Sequence, residues 1–392
     1  MELFVYIFWI SVFLLVYPYL IYPPLLMVLT RLFGGKEAIA EDPKEWPNVS
    51  FIISAYNEEA VIEEKIENTL SLDYPKDKLD IIVISDASSD RTDDIVNEMA
   101  DKHGNIKLVR QEERKGKSAG LNHGIKETTG DVIVFSDANA MFNNDAIKEL
   151  TRYFSNPDIG YVIGAALYNE NKDSEATESE GLYWKFELFV KELESRFYSV
   201  VGGDGAIYAT RKGLFWDLKD DDINDFVNPL QIVSKGYRGI INPKAICYED
   251  AAENFDKEFG RKRRIVNRSW RAVTRYLSWF SPIQHFKFLF ELFSHKVIRW
   301  YSLLIMVVTL LSNIVILLIE PSPLYVVTLL GQIAFIITAL IGANLDARNK
   351  PMPKLVYLPY YFCFVNLAGI LGIIDQFRGI RHATWEHVRE TQ

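Results

Sequence analysis

Long apolar segments at both ends of the chain most constrain how this sequence can fold. The first runs from residue 1 to Phe33 and carries a single charge, Glu2, before Arg31. It is too long for a secretory signal peptide, and it lacks the basic start and the small-residue cleavage site of one. We therefore predict that residues 1–33 form a transmembrane helix, since about twenty apolar residues in a helix span a bilayer.

Three further apolar segments lie near the carboxyl end. They run from Val297 to Ile319, from Leu324 to Leu345 and from Leu355 to Ile374. Each has the length of about twenty residues that crosses a bilayer as a helix. We therefore predict about three transmembrane helices within residues 297–376, followed by a short tail at residues 377–392.

The distribution of positive charge predicts the orientation in the membrane. Arg31, Lys36 and Lys44 follow the first segment, whereas only Glu2 precedes it, which places the next domain in the cytoplasm of an integral plasma-membrane protein. Basic residues also favour the cytoplasmic side for the last linker and for the tail, although three crossings would put the tail outside. These residues are Arg348, Lys350, Lys354, Arg378, Arg381 and Arg389. The topology of the last segment is therefore left open.

The remaining composition excludes some classes of function. The net charge of −9 argues against a nucleic-acid partner. The two cysteines, Cys247 and Cys363, suggest neither a disulfide framework nor a metal site of cysteines. We therefore expect membrane lipids, and no nucleic acid, as partners of the apolar segments.

The middle of the chain, residues 46–253, alternates apolar strands with amphipathic helices. Examples are the strand "LDIIVIS", the helix "RTDDIVNEMAD" and the strand "DVIVFSD". Repeated strand–helix units with apolar strands predict an α/β domain whose parallel sheet is covered on both faces. Ligands of such sheets bind outside the carboxyl ends of the strands, so the residues at those ends are the candidates for function.

Three strand ends carry polar or aromatic side chains. Tyr56 follows the first strand, Asp86 the second, and Asp137 with Asn139 the fourth. Asp and Asn are common in turns, so a single strand end with such residues has a structural explanation. Three such strand ends at one edge of the sheet favour a ligand-binding site. Tyr56 could pack on a nucleotide base, Asp86 could accept hydrogen bonds from base or ribose, and Asp137 could bind a divalent ion on a diphosphate. Asn139 offers a carbonyl oxygen without charge, so we expect weaker metal binding than an Asp-x-Asp pair would give.

Other segments have both a functional and a purely structural interpretation. The basic loop "RKGK" holds Lys117, which could neutralise phosphate or be solvated, and it matches no Walker A loop. The turn around Asp204 is either a tight turn or a close approach to a ligand. Asp225 at a helix start fits the helix dipole, and it also fits a general base for an acceptor hydroxyl. Residues 254–296, rich in Arg, Lys and Trp, predict amphipathic helices at the membrane interface.

These motifs, in this order, resemble the membrane-embedded family 2 glycosyltransferases, the group of cellulose, chitin and hyaluronan synthases and of the nodulation chitooligosaccharide synthase. "SAYNEE", "VISDASSDRT", "GKSAGLN", "SDAN", "GGDGAIYATRK" and "INDF" carry the resemblance. It implies a Rossmann-like GT-A fold with a mostly parallel sheet, inserted between transmembrane helices. The implied donor-binding residues are Ala55, Tyr56, Glu58, Asp86, Lys117, Asp137 and Arg264; the implied acceptor-binding residues are Asp204 and Gly205; Asp137 and Asn139 are the implied metal ligands; Asp225 is the implied catalytic base.

The resemblance implies an inverting transfer of a sugar from a UDP-sugar, with Mg²⁺ or Mn²⁺, to a growing polysaccharide, with translocation of the product. The alternatives are a single transfer to a lipid-linked acceptor and, in another class, an inactive nucleotide-sugar-binding scaffold. Two departures from the family pattern stand out. Asn224 replaces an acid beside the base, and only the Arg of the Gln-x-x-Arg-Trp element is kept, which leaves processivity open.

Overall fold

The computed structural model describes residues 1–34, 41–168, 175–249 and 255–380. Lys36, Arg381 and Arg389, which entered the prediction of orientation, and the tail beyond residue 380 lie outside the described residues.

The described strands form one eight-stranded sheet in the order β3-β2-β1-β4-β7-β6-β8-β5. The strands are β1 Val49–Ala55, β2 Leu79–Ser85, β3 Ile106–Arg110, β4 Val132–Asp137, β5 Met141–Phe142, β6 Ile159–Tyr168, β7 Tyr208–Arg211 and β8 Arg238–Glu249. β3, β2, β1 and β4 are parallel, as are β6 and β8, whereas β7 runs antiparallel to both of its neighbours and β5 runs antiparallel to β8. The predicted mostly parallel α/β sheet is confirmed, with an antiparallel strand at its centre.

The helices cover the sheet and continue into a separate helical part. They are α1 Glu2–Val16, α2 Tyr22–Phe33, α3 Ile62–Ser71, α4 Thr92–Lys102, α5 Lys117–Gly124, α6 Ala146–Thr151, α7 Glu175–Phe197, α8 Asn224–Ser234, α9 Phe255–Tyr276, α10 Phe286–Leu292, α11 Ile298–Trp300, α12 Ser302–Ile319, α13 Pro323–Asp346 and α14 Lys354–Phe377. Short π-helical turns at Tyr17–Ile21 and Phe293–Val297 connect α1 to α2 and α10 to α11.

The core lies on both faces of the sheet. Every residue of β1 is buried, and its side chains alternate between two hydrophobic clusters, with Phe51 and Ile53 in one and Ile52 in the other. This alternation follows from the pleat of a strand, whose successive side chains point to opposite faces. A strand buried on both sides explains the continuous apolar runs in the sequence.

Within the described residues, four helical segments are long and apolar enough to cross a membrane. They are Glu2–Phe33, Ser302–Ile319, Pro323–Asp346 and Lys354–Phe377. The first contains the π-helical turn at Pro18, where the ring removes a backbone donor from the helix ladder. These segments fit a protein embedded in a membrane.

α9 is held to α14, the last membrane helix, by side chains from the segment that the sequence predicts to lie at the membrane interface. Arg263 Nε and Nη2 each donate to Asp375 of α14 at 2.6 Å, and Asn267 Nδ2 donates to the Gly372 carbonyl at 2.9 Å. Arg271 and Arg275, further along α9, pair with the buried Asp221. These three arginines therefore pair with carboxylates of the protein itself.

Candidate functional site

The loops after β1 and β2 interlock at the carboxyl edge of the sheet. Asn57 N donates to Ser88 Oγ at 3.1 Å, and Ser89 N donates to Asn57 Oδ1 at 2.7 Å. Glu58 is half-buried and its amide donates to Thr92 Oγ1 at 2.8 Å. The segment that carries Tyr56 and the segment that follows Asp86 are therefore fixed as one unit.

Asp86 is buried, and its carboxylate orders the loop that leads to Lys117. Its Oδ1 accepts hydrogen bonds from Gln111 Nε2 at 2.6 Å and from the Lys115 amide at 2.9 Å, and the Gly116 amide is 3.0 Å from both of its oxygens. Lys117 is the first residue of α5. One carboxylate thus sets the position of the cation that follows the loop.

The two loops, Gln111 and α5 enclose a pocket. It is lined by Ser54, Ala55, Tyr56, Ile84, Asp86, Gln111, Lys117 and Gly120. The Arg114 guanidinium lies 3.9 Å from the centre of the Tyr56 ring, a cation–π contact. Four of the predicted donor-binding residues therefore meet in one pocket.

A second group of predicted residues meets beside Lys117. Lys117 Nζ lies 2.5 Å from Asp137 Oδ1. A Cβ atom built on Gly205 would lie 3.3 Å from Asp225 Oδ2 and 3.8 Å from Lys117 Nζ, so a side chain here would crowd the Asp225 carboxylate and contact Lys117. Gly205 and the half-buried Asp204 belong to residues 199–205, which we call the glycine-rich loop. The structure thus brings the predicted acceptor loop, the cation and the predicted base together.

Asp225 is the second residue of α8, and its backbone carbonyl accepts a hydrogen bond from the Gly203 amide. Within the described residues, its Oδ1 is buried and has no hydrogen-bond partner. Burial raises the pKa of Asp225; Lys117 opposes this rise, and the charges of Asp204 and Asp137 add to it. A carboxylate with an unused lone pair and an increased proton affinity is suited to accept a proton.

Asn224, which replaces an acid of the family pattern, makes a structural contact within the fold. Its Nδ2 donates to the buried Tyr208 hydroxyl at 2.9 Å, and Asn228 Nδ2 donates to the same oxygen at 3.1 Å. Asn224 thus anchors the start of α8 to β7 and so helps to place Asp225.

Asp137 and Asn139 offer the carboxylate and amide oxygens that a hard divalent ion prefers. Asp137 and Asn139 are both half-buried at the end of β4. Burial and the charges of Asp137 and Asp204 raise the pKa of Glu249 to about 8. Among the described residues, no three His, Cys, Asp or Glu side chains are placed to hold a metal by themselves. A hard cation bound to Asp137 and Asn139 would therefore need further oxygens from a ligand or water.

We expect Asn139→Asp to tighten the binding of Mn²⁺ in the presence of a nucleoside diphosphate by about tenfold, because a second carboxylate adds negative charge to the donor set. Electron paramagnetic resonance of free Mn²⁺ measures the affinity. Asn144→Asp, which adds the same charge at an exposed position outside the site, is the matched control. An unchanged affinity of the Asn139 variant would mean that Asn139 is not a ligand.

α9 carries a second arginine, besides the predicted Arg264, that contacts residues close to Lys117 and Asp225. Arg268 is buried; it donates to Ser118 Oγ at 3.3 Å and to the backbone carbonyl of Asp222. Burial, with the charge of Arg264, lowers the pKa of Arg268 to about 10, and the charge of Asp225 opposes this. Arg264 itself lies half-buried one helical turn earlier. Arg268 thus ties α9 to the residue after Lys117.

Sequence reasoning missed Gln111, Glu249 and Lys65. Gln111 directly follows β3, so the rule about strand ends would have found it if applied to that strand too. Glu249 likewise ends β8. Lys65 is fully buried, with an ammonium that donates to the Ala140 carbonyl behind the Asp137 turn. A lysine on the buried face of a helix carries no sequence signal for such a contact.

The profile of the glycosyl transferase family 2 matches residues 50–219. These residues form a family 2 glycosyltransferase domain. The matched range contains most of the site: the pocket, Lys117, Asp137 and the glycine-rich loop lie inside it, while Asp225 and Arg268 follow it.

Curated relatives of the glycosyltransferase domain come from several bacteria. The probable glycosyltransferase YdaM of Bacillus subtilis is 30% identical over 263 residues, 64% of this chain and 62% of the relative. A beta-monoglucosyldiacylglycerol synthase of Synechocystis is 34% identical over 32% of this chain and 27% of its own. A poly-beta-1,6-N-acetyl-D-glucosamine synthase of Staphylococcus aureus is 28% identical over 52% of this chain and 50% of its own. The chain thus spans less than two thirds of the length of each.

A solved structure has the same fold along nearly the whole chain. The mannosyltransferase PcManGT of Pyrobaculum calidifontis, solved in complex with GDP-Man and Mn²⁺, is 21% identical. The match covers 95% of this chain and 99% of the other, with a TM-score of 0.69. The predicted combination of a GT-A domain with membrane helices is therefore confirmed as a fold.

Proposed function

We propose that the protein is an inverting glycosyltransferase that moves a sugar from a UDP-sugar to an acceptor hydroxyl at the cytoplasmic face of the plasma membrane. The observation that carries the proposal is the meeting of Asp225, the Lys117–Asp137 ion pair and Gly205 at the edge of the donor pocket. A direct displacement at a sugar carbon requires a base and a cation that binds phosphate, and the glycine leaves space beside the base that a side chain would fill.

In the proposed reaction, the nucleotide lies in the pocket, with its base against Tyr56 and within reach of Asp86. Asp225 takes the proton of the acceptor hydroxyl, whose oxygen attacks the anomeric carbon and expels the nucleoside diphosphate. Lys117 neutralises charge on the departing diphosphate. Asp137 and Asn139 would hold Mg²⁺ or Mn²⁺, which supplies further positive charge to that leaving group when bound.

For the acceptor, we propose a growing polysaccharide that is carried across the membrane. Support comes from the position of the base next to the membrane helices. Phe226, the neighbour of Asp225, packs against Trp300 with the ring centres 6.2 Å apart, and α12 begins two residues later. One relative bears the name of a polysaccharide synthase, which agrees with this assignment.

A lipid-linked acceptor that receives a single sugar is the second candidate. It is favoured by α9, which lacks the Gln and Trp of the processive element and whose Arg263, Arg268 and Arg271 are engaged within the protein. Another relative is named as a synthase of a glucosylated diacylglycerol. Both candidates use the same base and donor pocket.

The test is incorporation of label by purified membranes from a panel of radiolabelled UDP- and GDP-sugars, each with Mg²⁺ or Mn²⁺. We expect incorporation from a UDP-sugar that requires the metal. Sizing of the product separates a polymer from a single transfer to lipid. Incorporation from GDP-sugars alone would overturn the choice of donor. No incorporation from any donor would overturn the enzymatic proposal and favour the nucleotide-sugar-binding scaffold.

A further inference from the structure

A buried carboxylate connects the N-terminal membrane helix to the glycine-rich loop. Glu194, in the last turn of α7, is completely buried. Its Oε1 accepts a hydrogen bond from the Tyr22 hydroxyl of α2 at 3.0 Å, and its Oε2 accepts one from the Val201 amide at 3.1 Å. The two oxygens of one side chain thus hold a membrane helix and the start of the loop.

His295, in the π-helical turn before α11, extends this connection to a second element. Its Nδ1 lies 2.7 Å from Glu194 Oε1 and its Nε2 lies 2.9 Å from Glu187 Oε1. Glu187 also pairs with Lys296 and Arg299. Although burial opposes it, the charges of Lys296, His295 and Arg299 hold the pKa of Glu187 well below its usual range. Glu194 is therefore held by His295, whose other ring nitrogen contacts a glutamate that is paired with Lys296 and Arg299.

The glycine-rich loop needs such outside support. Gly202 adopts a φ of +80° and Gly203 follows it, so the backbone has little local restraint of its own. Its start is held by the amides of Ser199, which donates to Glu291 Oε2 at 3.3 Å, and of Val201. Further along, the Gly203 amide donates to the carbonyl of Asp225. The loop is thus held at Ser199 and Val201 by buried glutamates, at Val200 by the Gly239 carbonyl of β8, and at Gly203 by the backbone of Asp225.

We propose that Glu194 is a positioning residue for the acceptor. It holds the glycine-rich loop in the conformation that binds the acceptor, and the packing of the N-terminal membrane helix controls the position of Glu194. This inference rests on the proposed function, because it takes that loop to be the acceptor side of the site. Tyr22 and His295 act through Glu194, and none of the three is among the residues that line the donor pocket. Acceptor binding is therefore coupled to the membrane helices, whereas donor binding is not.

Tyr22→Phe and Tyr17→Phe form a matched pair of variants. Both remove one hydroxyl from the helical segment that precedes the glycosyltransferase domain, and both hydroxyls contact another element. Tyr17 contacts Ser294 Oγ at 2.8 Å, whereas Tyr22 contacts Glu194. The assay uses the full chain in detergent and the acceptor that yields product in the panel of radiolabelled donors. We expect Tyr22→Phe to raise the acceptor KM about fivefold and Glu194→Gln to raise it about tenfold. The donor KM should stay within about twofold for all three variants, and the acceptor KM of Tyr17→Phe should do so too.

Hydrogen–deuterium exchange of the peptide that contains residues 199–205 gives a readout that needs no activity. We expect faster exchange of this peptide in Tyr22→Phe and Glu194→Gln than in the wild type and in Tyr17→Phe. Equal exchange in all four proteins, equal effects of the two tyrosine variants, or parallel rises of donor and acceptor KM would each overturn the proposal. A wild type without transferase activity would instead overturn the proposed function, and the exchange experiment would still decide whether Glu194 positions the loop.

Discussion

Asp225→Asn is expected to reduce the rate of sugar transfer by roughly a thousandfold, because the amide cannot take the proton of the acceptor hydroxyl. The substitution keeps the size of the side chain and leaves the contact of the Gly203 amide with the Asp225 backbone intact. The donor pocket is lined by other residues. Binding of the UDP-sugar should therefore stay within about twofold of the wild type, as measured by calorimetry beside single-turnover rates.

Asp217→Asn provides the matched control for this experiment. Asp217 is an exposed acid in the segment before α8, and it undergoes the same change of chemistry. It should transfer sugar at the rate of the wild type. A rate for Asp225→Asn within tenfold of the control would contradict the role of Asp225 as base and would favour the binding scaffold.

The same carboxylate predicts the pH dependence of the wild type. The unprotonated form of Asp225 is the active one, so kcat/KM should fall as the pH is lowered through its pKa. Because burial raises that pKa, the fall should begin at a higher pH than the titration of an ordinary aspartate would give. A pH–rate profile with saturating metal measures it, and a flat profile down to the ordinary range of Asp would contradict the assignment.

Lys117→Met is expected to lower kcat by about a hundredfold, because the departing diphosphate loses a fixed positive charge. Its second effect should be opposite in sign. Asp137 loses its ion-pair partner, so the affinity of the site for Mn²⁺ alone should increase. Rapid-quench kinetics and titration of Mn²⁺ measure the two effects separately.

Lys115→Met is the matched control, because Lys115 is exposed in the same loop and only its amide contacts Asp86. It should leave both kcat and the affinity for Mn²⁺ within about twofold. If the two lysine variants lose activity equally, the charge of the loop as a whole, and not the position of Lys117, supports the reaction.

Much of the donor side could be predicted from the sequence because it obeys a local rule. Apolar strands mark the parallel half of the sheet, and the residues that follow them are placed at one edge by chain connectivity alone. The positions of Tyr56, Asp86 and Asp137 at this edge were predicted in this way, and their roles in donor binding stay predictions. Asp225 and Lys117 needed the ordered motifs of a family as well, since a helix start or a basic loop is ambiguous by itself.

The acceptor side and the helical part could not be predicted in the same way, because long-range contacts build them. Glu194 and His295 are far apart in the chain, and nothing near either residue indicates that the other is its partner. The pairing of Arg263 with Asp375 likewise depends on how α9 crosses α14. The basic side chains of a helix beside an apolar one can bind either lipid headgroups or carboxylates of the protein, and only the packing decides between these two partners.

The Glu194 and Glu187 contacts bear on how the protein can be handled. A soluble fragment cut just before α10 would separate both buried carboxylates from His295, Lys296 and Arg299. A buried charge that loses its partner costs about 3–5 kcal/mol, a large part of the stability of a domain. The helices that follow α9 are therefore part of the folding unit of the glycosyltransferase domain, and detergent or nanodisc preparations of the full chain are the material on which its chemistry should be measured.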